Sequence, residues 1–200
     1  MYGMTTKLRA LPIAAVALVG ATTLYAQTGA RSSTLTQPRT SPHDVISQTF
    51  DGERLGNRVI IVYGRPYSKN PRGEEIRTIW GGVVPWGERW RLGADEATLM
   101  ITQQPLMFGS LEVPAGAYSL YMMPVEDGTS QLIINKQIGQ WGMGDPYQEN
   151  MELGRVDLSR ERVDERVDQL TLTLERLERG GLLRITWENL SFTASFSVGQ

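Results

Sequence analysis

Alternation with a period of two restricts the fold of this chain more than any other feature. Leu170, Leu172 and Leu174 alternate with Thr171, Thr173 and Glu175; Leu183, Ile185 and Trp187 alternate with Arg184, Thr186 and Glu188. Phe192, Ala194, Phe196 and Val198 alternate with Thr193, Ser195 and Ser197. Only an extended backbone puts such a series on one face; a helix would scatter it around its axis. Each run therefore predicts a strand with one buried and one wet face, as an antiparallel sheet requires. Val59 to Tyr63 and Leu132 to Ile134 are more continuously apolar and suit central strands covered on both faces. Phe108-Gly-Ser110, Glu126-Asp-Gly-Thr-Ser130 and Glu178-Arg-Gly-Gly181 supply hairpin turns between strand-like runs. No stretch reads as a long amphipathic helix. Ser159 to Asp168, with Val163 and Val167 four residues apart, reads either as a short charged helical turn or as a strand with its connector. The fold expected is all-β: a two-sheet antiparallel β-sandwich, jelly-roll-like, with long irregular loops and little helix.

Composition narrows the chemistry. The chain has 200 residues, no Cys and a single His, His43. It has neither a disulfide framework, nor a thiol nucleophile, nor a zinc site built on several Cys or His ligands. A net charge of −2 argues against nucleic acid as a partner. Nothing in the sequence implies a cofactor.

Residues 1–26 read as a signal peptide. Lys7 and Arg9 precede an apolar run from Leu11 to Val19, and Ala26 is a plausible cleavage point. That run is shorter than the roughly 20 residues a membrane span takes, so no stable span is expected after cleavage. The expected location is secreted, periplasmic or extracellular. Residues 27–42, rich in Ser, Thr, Gly, Gln and Arg, read as a flexible lead, and 43–199 as a single β-sandwich domain.

Three stretches break the strand rhythm: Gly64 to Gly82, PWGERWRLGADEAT (Pro85 to Thr98), and Lys136 to Tyr147. They hold Trp80, Trp86, Trp90 and Trp141 beside Arg, Asp and Glu, and long ordered loops on a β scaffold are where function usually sits. SPHDVISQTFDG (Ser41 to Gly52), VYGRPYSKNPRG (Val62 to Gly73), the Pro85 to Thr98 block, VPAGAYSLYMMP (Val113 to Pro124) and LIINKQIGQWG (Leu132 to Gly142) occur in that order. Together they resemble the secreted bacterial family known as domain of unknown function 2911, over His43 to about Val198. Trp90-Arg-x-Gly-Ala-Asp-Glu-Ala-Thr98 is the most specific element of the likeness. Asn70 to Thr78 is longer than the family's usual Lys-Gly-Arg stretch. The resemblance implies a secreted, mostly β domain and brings no activity with it.

The candidate site residues support three readings. The leading one is a non-catalytic β-sandwich that binds a small ligand, with a glycan or cell-envelope fragment as the class to consider. Its site would combine Tyr63, Arg65, Trp80, Trp90, Arg91, Asp95, Glu96, Asn135 and Trp141: aromatic faces stack on sugar rings, and Arg, Asp and Asn bind hydroxyls and carboxylates. The second is a hydrolase in which His43 works with Asp95 or Glu96, with or without a metal. No Gly-x-Ser-x-Gly elbow accompanies them. The third is a structural or protein-interaction domain, in which Arg91, Asp95 and Glu96 form an ion-pair network pinning a loop. No metal ligands are assigned, and the oligomeric state is left open.

Overall fold

A computed structural model describes residues 39–50, 56–70, 73–142 and 146–198, all within one unit, Gln37–Gln200. The expected signal peptide and most of the lead lie outside the described residues. Nine strands follow in order: β1 His43–Phe50, β2 Asn57–Gly64, β3 Thr98–Thr102, β4 Leu106–Phe108, β5 Leu111–Val113, β6 Gly116–Met123, β7 Ser130–Asn135, β8 Glu152–Arg176 and β9 Gly181–Val198. Among the described residues the helix content is a 3-10 turn at Glu149–Met151. Among the described residues no helix is long and apolar enough to cross a membrane.

All pairings are antiparallel, and the strands join one nine-stranded sheet in the order β1-β2-β3-β6-β7-β8-β9-β4-β5. Hydrogen bonding is thus continuous through one sheet where two had been expected. The physical reason is the length of β8 and β9, 25 and 18 residues. They carry the ladder past the point where two shorter sheets would separate. β8 pairs first with β7 and then with β9, and β9 hands the ladder on to β4.

The alternating residues fill the core. Leu170, Leu172, Leu183, Ile185, Trp187, Phe192, Ala194 and Phe196 are all buried. They meet Val59, Ile61 and Tyr63 of β2, and the Phe50 ring of β1 stands edge-on to Phe196 at 5.0 Å. In β7, Leu132, Ile133 and Ile134 are fully buried, so both faces are covered as their continuous apolarity predicts. In β2 one face is fully buried and the other only partly. Ser159 to Asp168 lies in β8, which decides between its two readings. Its ladder to β9 shifts register between Arg162 and Val167 and again before Thr171. Such bulges let a long strand bend without leaving the sheet.

Candidate functional site

Strand register builds the site. His43, the first residue of β1, is paired with Gly64, the last of β2. The Gly64 carbonyl accepts the Ala94 amide at 3.3 Å. A Cβ at position 64 would stand 2.2 Å from the Ala94 carbonyl oxygen, so this approach requires glycine. The next residues, Asp95 and Glu96, thereby reach His43. Its Nε2 lies 3.0 Å from Glu96 Oε2 and 3.8 Å from Asp95 Oδ2, and its Nδ1 lies 3.3 Å from the Ser41 carbonyl. Arg39 forms an ion pair with Glu96 from the other side.

The loop carrying these acids is fastened on several sides. The Thr98 amide donates to the Arg91 carbonyl at 3.1 Å and the Thr98 hydroxyl to the Leu92 carbonyl at 2.8 Å. Gly142 N–H donates to the Asp95 carbonyl at 2.8 Å, and Ala97 N–H to that of Gln140 at 3.0 Å. Within this frame Leu92 and Asp95 hold left-handed backbones, φ 57° and 64°. For a residue with a Cβ that conformation costs about 1–2 kcal/mol and persists only where the surroundings impose it.

Beside the loop opens a cleft of about 200 Å³, lined by Thr40, Ser41, Pro66, Tyr67, Lys69, Arg77, Val83, Trp90, Arg91, Gly93, Ala94, Asp95 and Trp187. Of its charged side chains, two are already engaged. Lys69 pairs with Glu74, and Arg77 donates to the carbonyls of Tyr67 and Ser68. Arg91 and Asp95 differ: Arg91 Nε and Asp95 Oδ2 are buried with no hydrogen-bond partner. Burial pulls the Arg91 guanidinium below its usual range against the pull of Asp95 and Tyr121. Burial likewise pushes the Asp95 carboxyl above the usual carboxylate range, against His43, Arg91 and Arg39. At Glu96 burial also pushes upward, but the hydrogen bond and charge of Arg39, a backbone hydrogen bond and the hydrogen bond of His43 outweigh it and leave the carboxyl below that range. Two neighbouring acids are thus driven in opposite directions by their surroundings. Among the described residues no group of three or more His, Asp or Glu side chains is arranged to hold a metal ion.

Of the side chains singled out in the sequence, Trp90, Arg91 and Asp95 line the cleft, and Glu96 joins them through His43. The others do structural work elsewhere. Tyr63 is buried, its hydroxyl accepting the Leu172 amide at 3.1 Å. Arg65 spends its donors on Asp44, the Leu170 carbonyl and the Thr171 hydroxyl, strapping β2 to β1 and β8. Asn135 accepts the Gln137 amide and donates to the Gln148 carbonyl, closing the loop after β7. Trp141 bridges the backbone of Glu96. Trp80 stacks on Trp86 at 5.8 Å, stands edge-on to Trp90 and Trp187, and donates its indole N–H to the Trp187 carbonyl. The rings of Trp80, Trp86, Trp90 and Trp187 therefore pack on one another.

A protein-family model described as Protein of unknown function (DUF2911) matches residues 41–196. The chain belongs to this family. No curated protein and no solved structure matches it. The DUF2911 description carries no activity, so the function rests on the geometry. The cleft is also lined by residues the sequence did not single out. Thr40 and Ser41 come from the lead and line the cleft, and Trp187 reaches it from a strand that looks purely structural. For Thr40 and Ser41 the only sequence signal is nearness: they lie three and two residues before His43.

Proposed function

We propose that this DUF2911 protein is a secreted, non-catalytic domain whose cleft binds a small polar ligand. One observation carries the reading: Arg91 Nε and Asp95 Oδ2, on one strained loop and beside one cleft, are buried without a hydrogen-bond partner, Asp95 Oδ2 having only the His43 ring at 3.8 Å. Buried polar groups are almost always satisfied, and leaving a charged one bare is expensive, so a ligand that supplies the missing partners is the economical reason to keep both. The volume favours a small ligand. Pockets for drug-sized molecules run to about 300–1,000 Å³, so 200 Å³ suits a single small molecule and not an oligosaccharide. Secretion is supported by the basic, apolar and small-residue order of residues 1–26.

The convergence of His43 with Asp95 and Glu96 favours a second reading, a hydrolase. Against it, both ring nitrogens already face acceptors, the Ser41 carbonyl and the Glu96 carboxylate. Ser41 meets His43 through its carbonyl and not its hydroxyl, so no nucleophile is paired with the imidazole.

The test is a thermal-shift screen of the full chain against organic acids, monosaccharides, amino acids and amines. A ligand at a hundred times its Kd adds about 2.7 kcal/mol. The expected result is a concentration-dependent rise with at least one probe, absent in Arg91→Met. Silence with every probe, or a rise that Arg91→Met retains, contradicts the reading. Ester or amide turnover lost in His43→Ala would favour the hydrolase instead.

A further inference from the structure

We infer that the ligand of this cleft is a free α-amino acid with an apolar side chain, its carboxylate on Arg91 and its ammonium on Asp95. The inference rests on the reading of the cleft as a ligand site and narrows the class of ligand.

Charge is the first argument. Lys69 and Arg77 are engaged with Glu74 and with backbone carbonyls, and the two other charged side chains of the cleft, Arg91 and Asp95, each keep a buried polar atom without a hydrogen-bond partner: one cationic donor and one anionic acceptor. A simple anion would satisfy Arg91 and be repelled by Asp95; a simple amine would do the reverse. A neutral sugar would leave both ions to neutral hydrogen bonds, which are about half as strong as charge-assisted ones. A zwitterion meets both demands at once.

Spacing is the second. Arg91 and Asp95 line the same cleft from one loop, and each counts the other's charge among the influences on its ionisation. Yet no ion pair joins them, although both are held on one loop whose ends are tied by Thr98. Two opposite charges kept near each other but apart present the complement of two opposite charges carried on one carbon. The Asp95 side chain is 10% exposed, and rotation about its χ2, which is broad and nearly two-fold, turns an oxygen toward the cleft.

The remaining wall is the third. Trp90 and Trp187 stack at 5.9 Å behind the charged pair, and Tyr67 and Val83, 45% and 40% exposed, stand at the rim. Exposed apolar side chains beside a buried charge pair suit an apolar side chain lying outward from an α-carbon whose charges point in.

The experiment is calorimetric titration of the full chain with L-leucine, D-leucine, L-alanine and L-phenylalanine, beside N-acetyl-L-leucine, L-leucinamide and glucuronate. N-acetylation removes the ammonium, amidation removes the carboxylate, and glucuronate is an anionic sugar without an ammonium. At least one amino acid is expected to bind, with its blocked forms weaker by about ten- to a hundredfold. Asp95→Asn should then cost more affinity for leucinamide than for N-acetyl-leucine, and Arg91→Met the reverse. Binding of glucuronate with all amino acids silent overturns the inference and leaves the cleft a ligand site. Equal binding of leucine and its blocked forms overturns it as well. Silence of all seven, together with silence in the wider screen, removes the ligand site itself.

Discussion

The tryptophan cluster and the loop at 91–96 adjoin each other, yet they solve opposite problems. In the cluster the central indoles, Trp80 and Trp187, have their N–H groups matched. Trp187 is fully buried, Trp80 and Trp90 pack on it, and the indole N–H groups of Trp80 and Trp187 reach the carbonyls of Trp187 and Asp168. In the loop demands are left open: two left-handed residues, and a guanidinium nitrogen and a carboxylate oxygen buried without hydrogen-bond partners. The cluster is the packed part, and the loop beside it holds the unmatched polar atoms. Aromatic density in this loop goes with packing, whereas a buried ionic atom without a hydrogen-bond partner is the exception that calls for an explanation.

The comparison can be broken most forcefully at the cluster. Trp187→Ala should cost about 3–5 kcal/mol in chemical denaturation, because it empties the centre of the cluster. A loss below that of an ordinary surface change would mean the cluster is not a core. Tyr63→Phe should cost about 1–3 kcal/mol, since the Leu172 amide loses its acceptor in a buried setting; it should leave ligand affinity unchanged, as Tyr63 does not line the cleft. Gly142→Ala acts on the loop side. A Cβ there would stand 1.9 Å from Arg91 Cδ, a flexible stem that can move aside. It should cost about 1 kcal/mol of stability while lowering ligand affinity about tenfold and leaving tryptophan fluorescence unaltered. The smallest effect is expected at Glu96. Its folded-state pKa is held down, so its contribution is present above the ordinary glutamate range and is lost as pH falls through the lowered value. Glu96→Gln should flatten that acid limb of a stability-against-pH curve.

Much of the fold is legible in the sequence. The alternation at Leu170 to Glu175 and Leu183 to Glu188 gives β8 and β9, and the turns at Gly109 and Gly180, φ 59° and 93°, fall where Gly-containing hairpins are read. The single sheet is not legible. Period-two patterning tells which residues face inward but not where a ladder continues, and the bulges after Arg162 that let β8 turn have no pattern of their own. The site is legible in part. Arg91 and Asp95 declare themselves as charges within an aromatic segment, but Tyr63, Arg65 and Asn135 look equally eligible. A hydroxyl, guanidinium or amide that straps two strands has the same composition as one that holds a ligand; only the partner at the far end distinguishes them. His43 reaches Glu96 across 53 residues because β1 pairs with β2 and Gly64 admits Ala94, two facts of register that no local stretch records.

The most direct test of the account is chemical denaturation of Asp95→Asn and Arg91→Met at neutral pH, each against the native chain. Burial raises the folded-state pKa of Asp95. Folding therefore favours its protonated form, and its ionisation removes stability as pH rises through the window between the ordinary and the raised value. A neutral amide of the same shape removes that loss, and Met fills the volume of the buried Arg91 stem without its desolvation. The account predicts that both variants unfold at a midpoint equal to or above the native one while ligand binding is lost. A fall of about 3–5 kcal/mol in either, the mark of a broken buried ion pair, would contradict it: Arg91 and Asp95 would then be partners in a network that pins the loop, and the cleft would have no ligand to wait for.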